Sequence, residues 1–433
     1  MESELSEHEE HGKGEKCSVF SEKICDSCKH EMENTIIENI ETLEKFLLFL
    51  FAVRSGYSQV NHGRSNKLKY FELHNKIIRI FLILQAIRFI LLLIFDSDFL
   101  SIILADPFIH LSRRKVIFIL VIYAIVALGL FREYVLYLEG RNCFSFLSTF
   151  SQVRKLGFDK RSFKMTNAKL QRFRVIFLMI SNFFIGLMYL CYFFVPILLI
   201  LVRFNNKIYS EILSINIASL LWVPLETHSI YFAVCGVFII ATHIILILPY
   251  YYFQMMSLVE LLEQFILKKE SVSLDIFRGL SSNTIRFLNG FDDLNRELKY
   301  LISYVFVIFS FMGDTFLFSG VILTQASTML AIIFAAFGMV VLSVIGIETF
   351  IVGGFVSQLL VINQLYLKLM RRSKFITTKN LKLFEVLSRI TSPFNGLKIG
   401  DIITVNRMVF VQYLVENASV IMLLSVNTRS LLE

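Results

Sequence analysis

Asp401 to Val426 reads DIITVNRMVFVQYLVENASVIMLLSV, an apolar run of about membrane-spanning length with a polar band in its middle. Asp401 and Arg407 mark its wet end. At about 100° per residue, one stripe collects Met408, Val411, Val415, Ala418, Ser419, Met422 and Val426, with Gln412 and Ser425 at its edges. Glu416 and Asn417 project away from that stripe. A lipid-facing helix has no reason to arrange small and polar residues in this way. Copies of the helix around a symmetry axis do, because hydroxyls and soft Met side chains can line a narrow, intermittently wet path. A helix buried inside a monomeric bundle fits the stripe as well, and the stripe alone does not separate the two.

Composition sets the class. Of 433 residues, 55% are hydrophobic and 14% aromatic, including 44 Phe, and the mean hydropathy is +0.65. That is far outside the range of soluble domains, so an all-α membrane protein is expected. The net charge of +8 does not point to nucleic acid, because the basic residues sit beside apolar runs, where a positive-inside bias accounts for them. There is no Walker loop, nucleophile elbow or His-rich metal pattern, so neither enzyme chemistry nor a cofactor is expected.

Residues 1–34 are charge-dense and read as a disordered cytosolic tail with no signal peptide. Cys17, Cys25, Cys28 and His30 include one CxxC near a His; a single such pair is a poor zinc signal, and a reduced tail is the plainer reading. In residues 35–53, Ile36, Ile37, Ile40, Leu43, Leu47 and Leu50 recur at helical spacing with Glu38, Glu41 and Glu44 between them. Too short to span, this segment is expected as an amphipathic helix on the inner membrane surface. Spans one to six occupy residues 77–352: Ile77–Phe95, Val116–Leu136, Val175–Val202, Ser229–Phe253, Leu301–Leu323 and Thr328–Val352. Only Thr324–Ser327 separate the fifth from the sixth, which predicts a tight hairpin. Residues 353–400 continue a helical pattern past the interface and read as a cytosolic helical anchor. Residues 401–428 form the seventh span, Ile402–Val426 being its apolar part.

Loop charges set the orientation. Gly140 to Arg174 holds nine Lys/Arg against one Asp, and Tyr366 to Gly400 holds eight against one Glu. Arg113-Arg114-Lys115, on the opposite side, argues the other way but is outvoted. The N-terminus is therefore expected in the cytosol and, after seven crossings, the C-terminus outside. A G-protein-coupled receptor has the reverse orientation, and its acidic-Arg-Tyr and Asn-Pro-x-x-Tyr marks are missing here.

Ionisable residues inside spans cost about 2.5 to 3.5 kcal/mol on insertion scales, so each needs a reason. Arg88 can snorkel or pair, Glu348 lies close to the cytosolic end of the sixth span, and Glu416 suits a contact to a neighbouring helix. Asp314 and His243 can either anchor a ligand in an outer-half pocket with Tyr123, Tyr189, Tyr192 and Phe334, or only bond helices together. Cys143 can be read as a palmitoylation site or as an ordinary reduced thiol.

The layout resembles the insect gustatory and odorant receptor superfamily. Trp222-Val223-Pro224 stands where these receptors commonly have a Trp-x-Pro turn, and LSRITSPFNGLKIGDII resembles their cytosolic helix, loop and start of the final span. Gustatory receptors end with Thr-Tyr, five apolar residues and Gln-Phe; Ala418-Ser419, Val420 to Leu424 and Ser425-Val426 keep that spacing with all four signature residues replaced. The resemblance implies a gustatory-receptor-like subunit of a homotetrameric, ligand-gated, weakly selective cation channel in the plasma membrane, or a heteromer with related receptors, opened by a small tastant and surrounded by lipid. The gate it implies is Met422 and Val426, with Ser425 replacing the usual Gln as the polar ring and Ser419 on the same pore-facing stripe. A seven-helix G-protein-coupled-type receptor and a non-conducting relative are the competing readings.

Overall fold

Each of the seven apolar runs is a helix in the computed structural model, which describes residues 26–57, 65–109, 111, 114–141, 143–144, 146–157, 163–204, 217, 219–267, 274–323, 328–372, 381–392 and 396–432. In chain order these residues form α1 (Asp26–Phe49), α2 (Ser65–Ile94), α3 (Asp98–Ile103), α4 (Arg114–Gly140), α5 (Leu147–Leu156) and α6 (Asn167–Phe204). Then come α7 (Val223–Leu267) and α8, from Leu274 to Leu323. α9 (Thr328–Arg372), α10 (Leu381–Thr391), a two-stranded hairpin β1 (Lys398–Ile399) and β2 (Ile403–Thr404), and α11 (Arg407–Leu432) complete the chain. Seven helices, α2, α4, α6, α7, α8, α9 and α11, are long and apolar enough to cross a membrane. The fold is all-α with seven candidate spans, and the hairpin is its one sheet among the described residues.

The N-terminal region differs from the sequence expectation in two ways. Helix α1 begins at Asp26, so the polar tail does not reach residue 34. Its apolar face also meets protein rather than the membrane surface: Ile36, Ile40 and Leu43 are fully buried, and Leu47 nearly so. The cause is polar as well as apolar. Asn39 donates to Ser181 Oγ (2.8 Å) and Asn182 Oδ1 (2.7 Å) on α6, Glu33 pairs with Arg174, and Glu44 pairs with Arg154 of α5. Cys17 and Cys25 of the CxxC segment lie outside the described residues, as do the side chains of Cys28 and His30 and the Thr324–Ser327 turn.

α8 and α9 pack backbone to backbone. A Cβ on Gly338 would lie 2.5 Å from Leu317 N and 2.6 Å from Gly313 O, and one on Gly320 would lie 2.7 Å from Ala335 Cβ. Small residues allow this approach, and in lipid the resulting van der Waals contact is what holds helices together. Both α7 and α8 contain one wide π-helical turn, at Tyr231–Cys235 and Val305–Phe309.

The spans overshoot the apolar runs on one side. The first half of α8 buries Phe277, Leu280, Thr284, Phe287, Phe291, Leu294 and Leu298, a seam repeating every three to four residues. Facing it are Phe355, Leu359, Ile362 and Tyr366 of α9 and Val386 and Ile390 of α10, all buried. Tyr366 Oη and Thr284 Oγ1 are 2.7 Å apart inside this second bundle.

Helix α11 starts later than expected. Residues 401–406 belong to the hairpin and its exit, with Lys398 paired to Thr404 and Ile399 to Ile403. Gly400 takes φ +62° in the turn, a left-handed conformation that favours glycine. The Val409 N–H bonds Asn406 Oδ1 at 3.0 Å, capping the helix one turn past the predicted boundary.

Candidate functional site

The bundle holds α11 by one face only. Tyr413 and Asn417, one turn apart, are buried: Tyr413 Oη donates to the Leu342 carbonyl of α9 (3.0 Å), and Ser310 Oγ of α8 donates to Asn417 Oδ1 (2.7 Å). Phe410 stands edge-on to Phe350. The opposite face is bare. Met408, Val411, Val415, Met422 and Val426 are 50–71% exposed, and Ala418, Ser419 and Ser425 are exposed among them. The hydroxyls of Ser419 and Ser425 bond back to Val415 O and Met422 O (both 2.7 Å), as serines on apolar helices do. Glu416 is exposed and takes a 2.8 Å bond from Gln412 on the same helix, not from a neighbouring helix.

Behind α11 lies an enclosed space. A cavity of about 50 Å³ is walled by Phe131 of α4, Phe238 of α7, Val305 and Phe309 of the α8 π turn, and Val341 and Glu348 of α9. A second, of about 20 Å³, shares Val305 and Glu348 and reaches Val405, just ahead of α11. Water needs roughly 10–15 Å³ of such volume, so both can hydrate a carboxylate. Glu348, expected near the cytosolic end of the sixth span, is half buried and lines both cavities. None of the six residues expected around a ligand lines the larger cavity.

Three of those six lie on or touch α8, but at different positions round it and with no hydrogen bond or ring contact to one another among the described residues. Tyr123 Oη donates to the Ile308 carbonyl (3.0 Å) and its ring stands edge-on to Phe311. Phe334 packs on Phe316, with ring centroids 5.2 Å apart. Asp314, between them in sequence, is 2% exposed, and its Oδ1 makes no hydrogen bond among the described residues. The other three lie elsewhere. His243 is 1% exposed, bonds Tyr57 Oη and the Ile239 carbonyl (both 2.6 Å), and joins α7 to the segment after α1. Tyr189 and Tyr192 are half exposed on α6, against Phe46 and Tyr231.

The end of the bundle away from the hairpin holds a charged cluster of which the sequence flagged only Arg88. Arg88 Nη1 and Arg203 Nη2 both donate to Glu226 Oε1, at 2.5 and 2.7 Å. All three side chains are buried. Arg88 also bonds the Leu104 and Ala105 carbonyls (2.7 Å each), and its guanidinium lies 4.5 Å from the Trp222 ring centroid. Beside it, Asp106 pairs with Arg114 at 2.5 Å. Burial raises the Asp106 pKa above the ordinary carboxylate value, outweighing the Phe108 N–H and the Arg114 and Arg88 charges. Arg114, an outlier in the charge count, thus has a local partner. The one available signal was the placement of Arg203 and Glu226 at the two ends of the loop between the third and fourth spans, which reads equally as interfacial charge.

At the other end the hairpin is clamped to α8. Asp401 bonds Lys299 Nζ (2.6 Å) and Tyr300 Oη (2.8 Å), and the Gly400 N–H bonds the Lys299 carbonyl (2.9 Å). The Lys299 and Tyr300 contacts hold the Asp401 carboxyl below its ordinary pKa.

No protein-family model matches the sequence, and no curated protein matches it. The structure, however, superimposes on that of the insect olfactory receptor OR5 from Machilis hrabei, solved in complex with eugenol. The TM-score is 0.59, with 90% of this chain and 98% of that one covered at 9% identity. The fold is that of an insect olfactory receptor. Nearly the whole of that receptor's chain is matched, although few residues are shared.

Proposed function

We propose that this chain is a subunit of a ligand-gated, weakly selective cation channel of the gustatory type, with four copies around α11, opened by a small tastant at the plasma membrane. The observation that carries this reading is the bare face of α11. A helix whose one face is bonded into its own bundle, while the other offers Met408, Val411, Val415, Ser419, Met422 and Val426, is built to meet copies of itself or water. Four such faces give an apolar constriction at Met422 and Val426 with serine rings at 419 and 425. Apolar rings of this kind stop ions by dewetting. Asp314, buried on α8 with an Oδ1 that makes no hydrogen bond among the described residues, is the polar group offered as an anchor for a small, mostly apolar ligand. Eugenol, bound by the olfactory receptor of the same fold, is a molecule of that class.

Imaging of the purified chain in lipid nanodiscs, paired with bilayer recordings, tests this. A fourfold particle carrying cation current supports it. A monomer without current refutes it and favours a non-conducting relative. An N-terminal epitope accessible on intact cells would instead favour the orientation of a G-protein-coupled receptor.

A further inference from the structure

The largest cavity described is not in the spans. A cleft of about 830 Å³ opens where α6 begins, between the inner end of α7 and the first half of α8. The charge bias of the loops assigns this side to the cytosol. Its floor is apolar, with Leu258 and Phe287 buried. Its rim carries Lys164 and Arg286, both exposed, and the amides of Asn167, Gln264 and Asn283. None of these five side chains has a hydrogen bond or ion pair among the described residues. Glu260 does not neutralise the two cations, since it is bonded to Thr166 Oγ1 (2.6 Å) and lies 3.8 Å from Lys169 Nζ.

Two further features single out Lys164. It takes φ +51°, a left-handed conformation uncommon for a residue with a side chain. Partial burial and then the Arg286 charge lower its pKa, so the two cations repel each other across the rim. Two like charges with no counter-ion among the described residues, flanked by amide donors, are the complement of a compact polyanion. Phosphate groups accept several such donors at once.

We propose that this cleft binds a multiply phosphorylated group, of the kind carried by a phosphoinositide head group or a free inositol phosphate, between Lys164 and Arg286. The cleft lies beyond the apolar runs of α6 and α7, on the side of the second bundle, and α8 on its far wall runs on to the Asp401 clamp. A bound polyanion would tie the segment just ahead of α6 to the first half of α8.

The test uses the full chain in phosphatidylcholine nanodiscs, with and without phosphatidylinositol bisphosphate, and inositol trisphosphate added to the discs that lack the phosphoinositide. Saturable binding of either probe, weakened by salt, is expected. Loss of two charge-assisted contacts in Lys164→Gln/Arg286→Gln should weaken it at least about tenfold. The charge-preserving Lys164→Arg/Arg286→Lys pair should bind within about threefold of the parent. Binding in the phosphoinositide-containing discs alone identifies a head group; binding of inositol trisphosphate alone identifies a soluble ligand. Both support the site. No binding of either probe, unchanged binding in the Gln pair, or equal loss in both pairs overturns it. The assay reads no current, so its failure is separate from failure of the channel reading.

Discussion

Replacing Glu226 with Gln removes one charge and almost no volume, and it isolates what the charged cluster contributes. The Gln carbonyl can still accept from Arg88 and Arg203, so geometry survives while two charge-assisted bonds become neutral ones. That change costs about 1 kcal/mol per bond. The larger effect is that two guanidiniums, 2% and 0% exposed, lose the carboxylate they share. Removing one partner of a buried ion pair costs about 3–5 kcal/mol. Arg88 keeps two carbonyls and Arg203 keeps the Leu199 carbonyl (3.1 Å), which places the expected loss near about 3 kcal/mol. Thermal unfolding of the detergent-solubilised chain, followed by size-exclusion recovery, should therefore show a clear drop in melting temperature. Adding Arg203→Met should recover part of it, because the second stranded charge is removed too. If Glu226→Gln melts within about 0.5 kcal/mol of the parent, the cluster does not hold that end of the bundle together.

Met422→Ser or Val426→Ser should raise current without ligand at matched surface level; equal current in Leu423→Ser, or none in either stripe variant, would remove the gate from α11. Gly338→Ala forces a Cβ to 2.5 Å from Leu317 N, and parting α8 from α9 to relieve it should cost at least about 1–3 kcal/mol; unchanged melting would refute the close approach. Asp314→Asn should shift the agonist dose-response with surface expression retained, whereas collapse of expression would make the residue structural. Asp401 has a depressed carboxyl pKa in the folded chain, so its clamp is complete above the ordinary value of about 3.9 and is lost only as pH falls below it. Hydrogen exchange of residues 398–406 should then be unchanged between about pH 7 and 5 after correction for intrinsic rates, and faster in Asp401→Asn.

The seven spans were legible because continuous apolar runs have no other solution in this composition. Of their extensions only that of α9 was legible, as the helical pattern after residue 352; the start of α8 was not, because beyond the membrane the pattern changes from uniform to one-faced, and Phe277, Leu280 and Thr284 have a reason to be helical only once α9 and α10 are seen to cover them. Helix α1 was misplaced for a related reason. Its stripe is that of a membrane-surface helix, and only Asn39 meeting Ser181, far along the chain, shows that protein covers it. The stripe on α11 was readable, since the residues predicted to share a face are those left bare, but the buried role of Asn417 needed Ser310. Long-range polar pairs decided what periodicity left open. The same holds for His243, whose partner Tyr57 lies in a loop, and for Glu348, whose surroundings come from four helices.

Mechanically, α11 is a beam fixed at one end. Its root is held by the hairpin on α8, with Gly353 so near that a Cβ there would lie 3.0 Å from the Arg407 nitrogen. Among its residues of described burial the last buried ones are Tyr413 and Asn417, and beyond them Val420, Ile421 and Leu424 are only half buried. From Asn417 to Val426 the helix runs about 13 Å, at 1.5 Å per residue, on this lighter support. A tilt of about 10° at Asn417 would carry the Val426 end sideways by roughly 2 Å on that geometry, more than enough to part an apolar ring, while the root hardly moves. Small changes where α8 and α9 grip Tyr413 and Asn417 would thus be magnified at the tip, and the serine at position 419, just beyond the fulcrum, would move least.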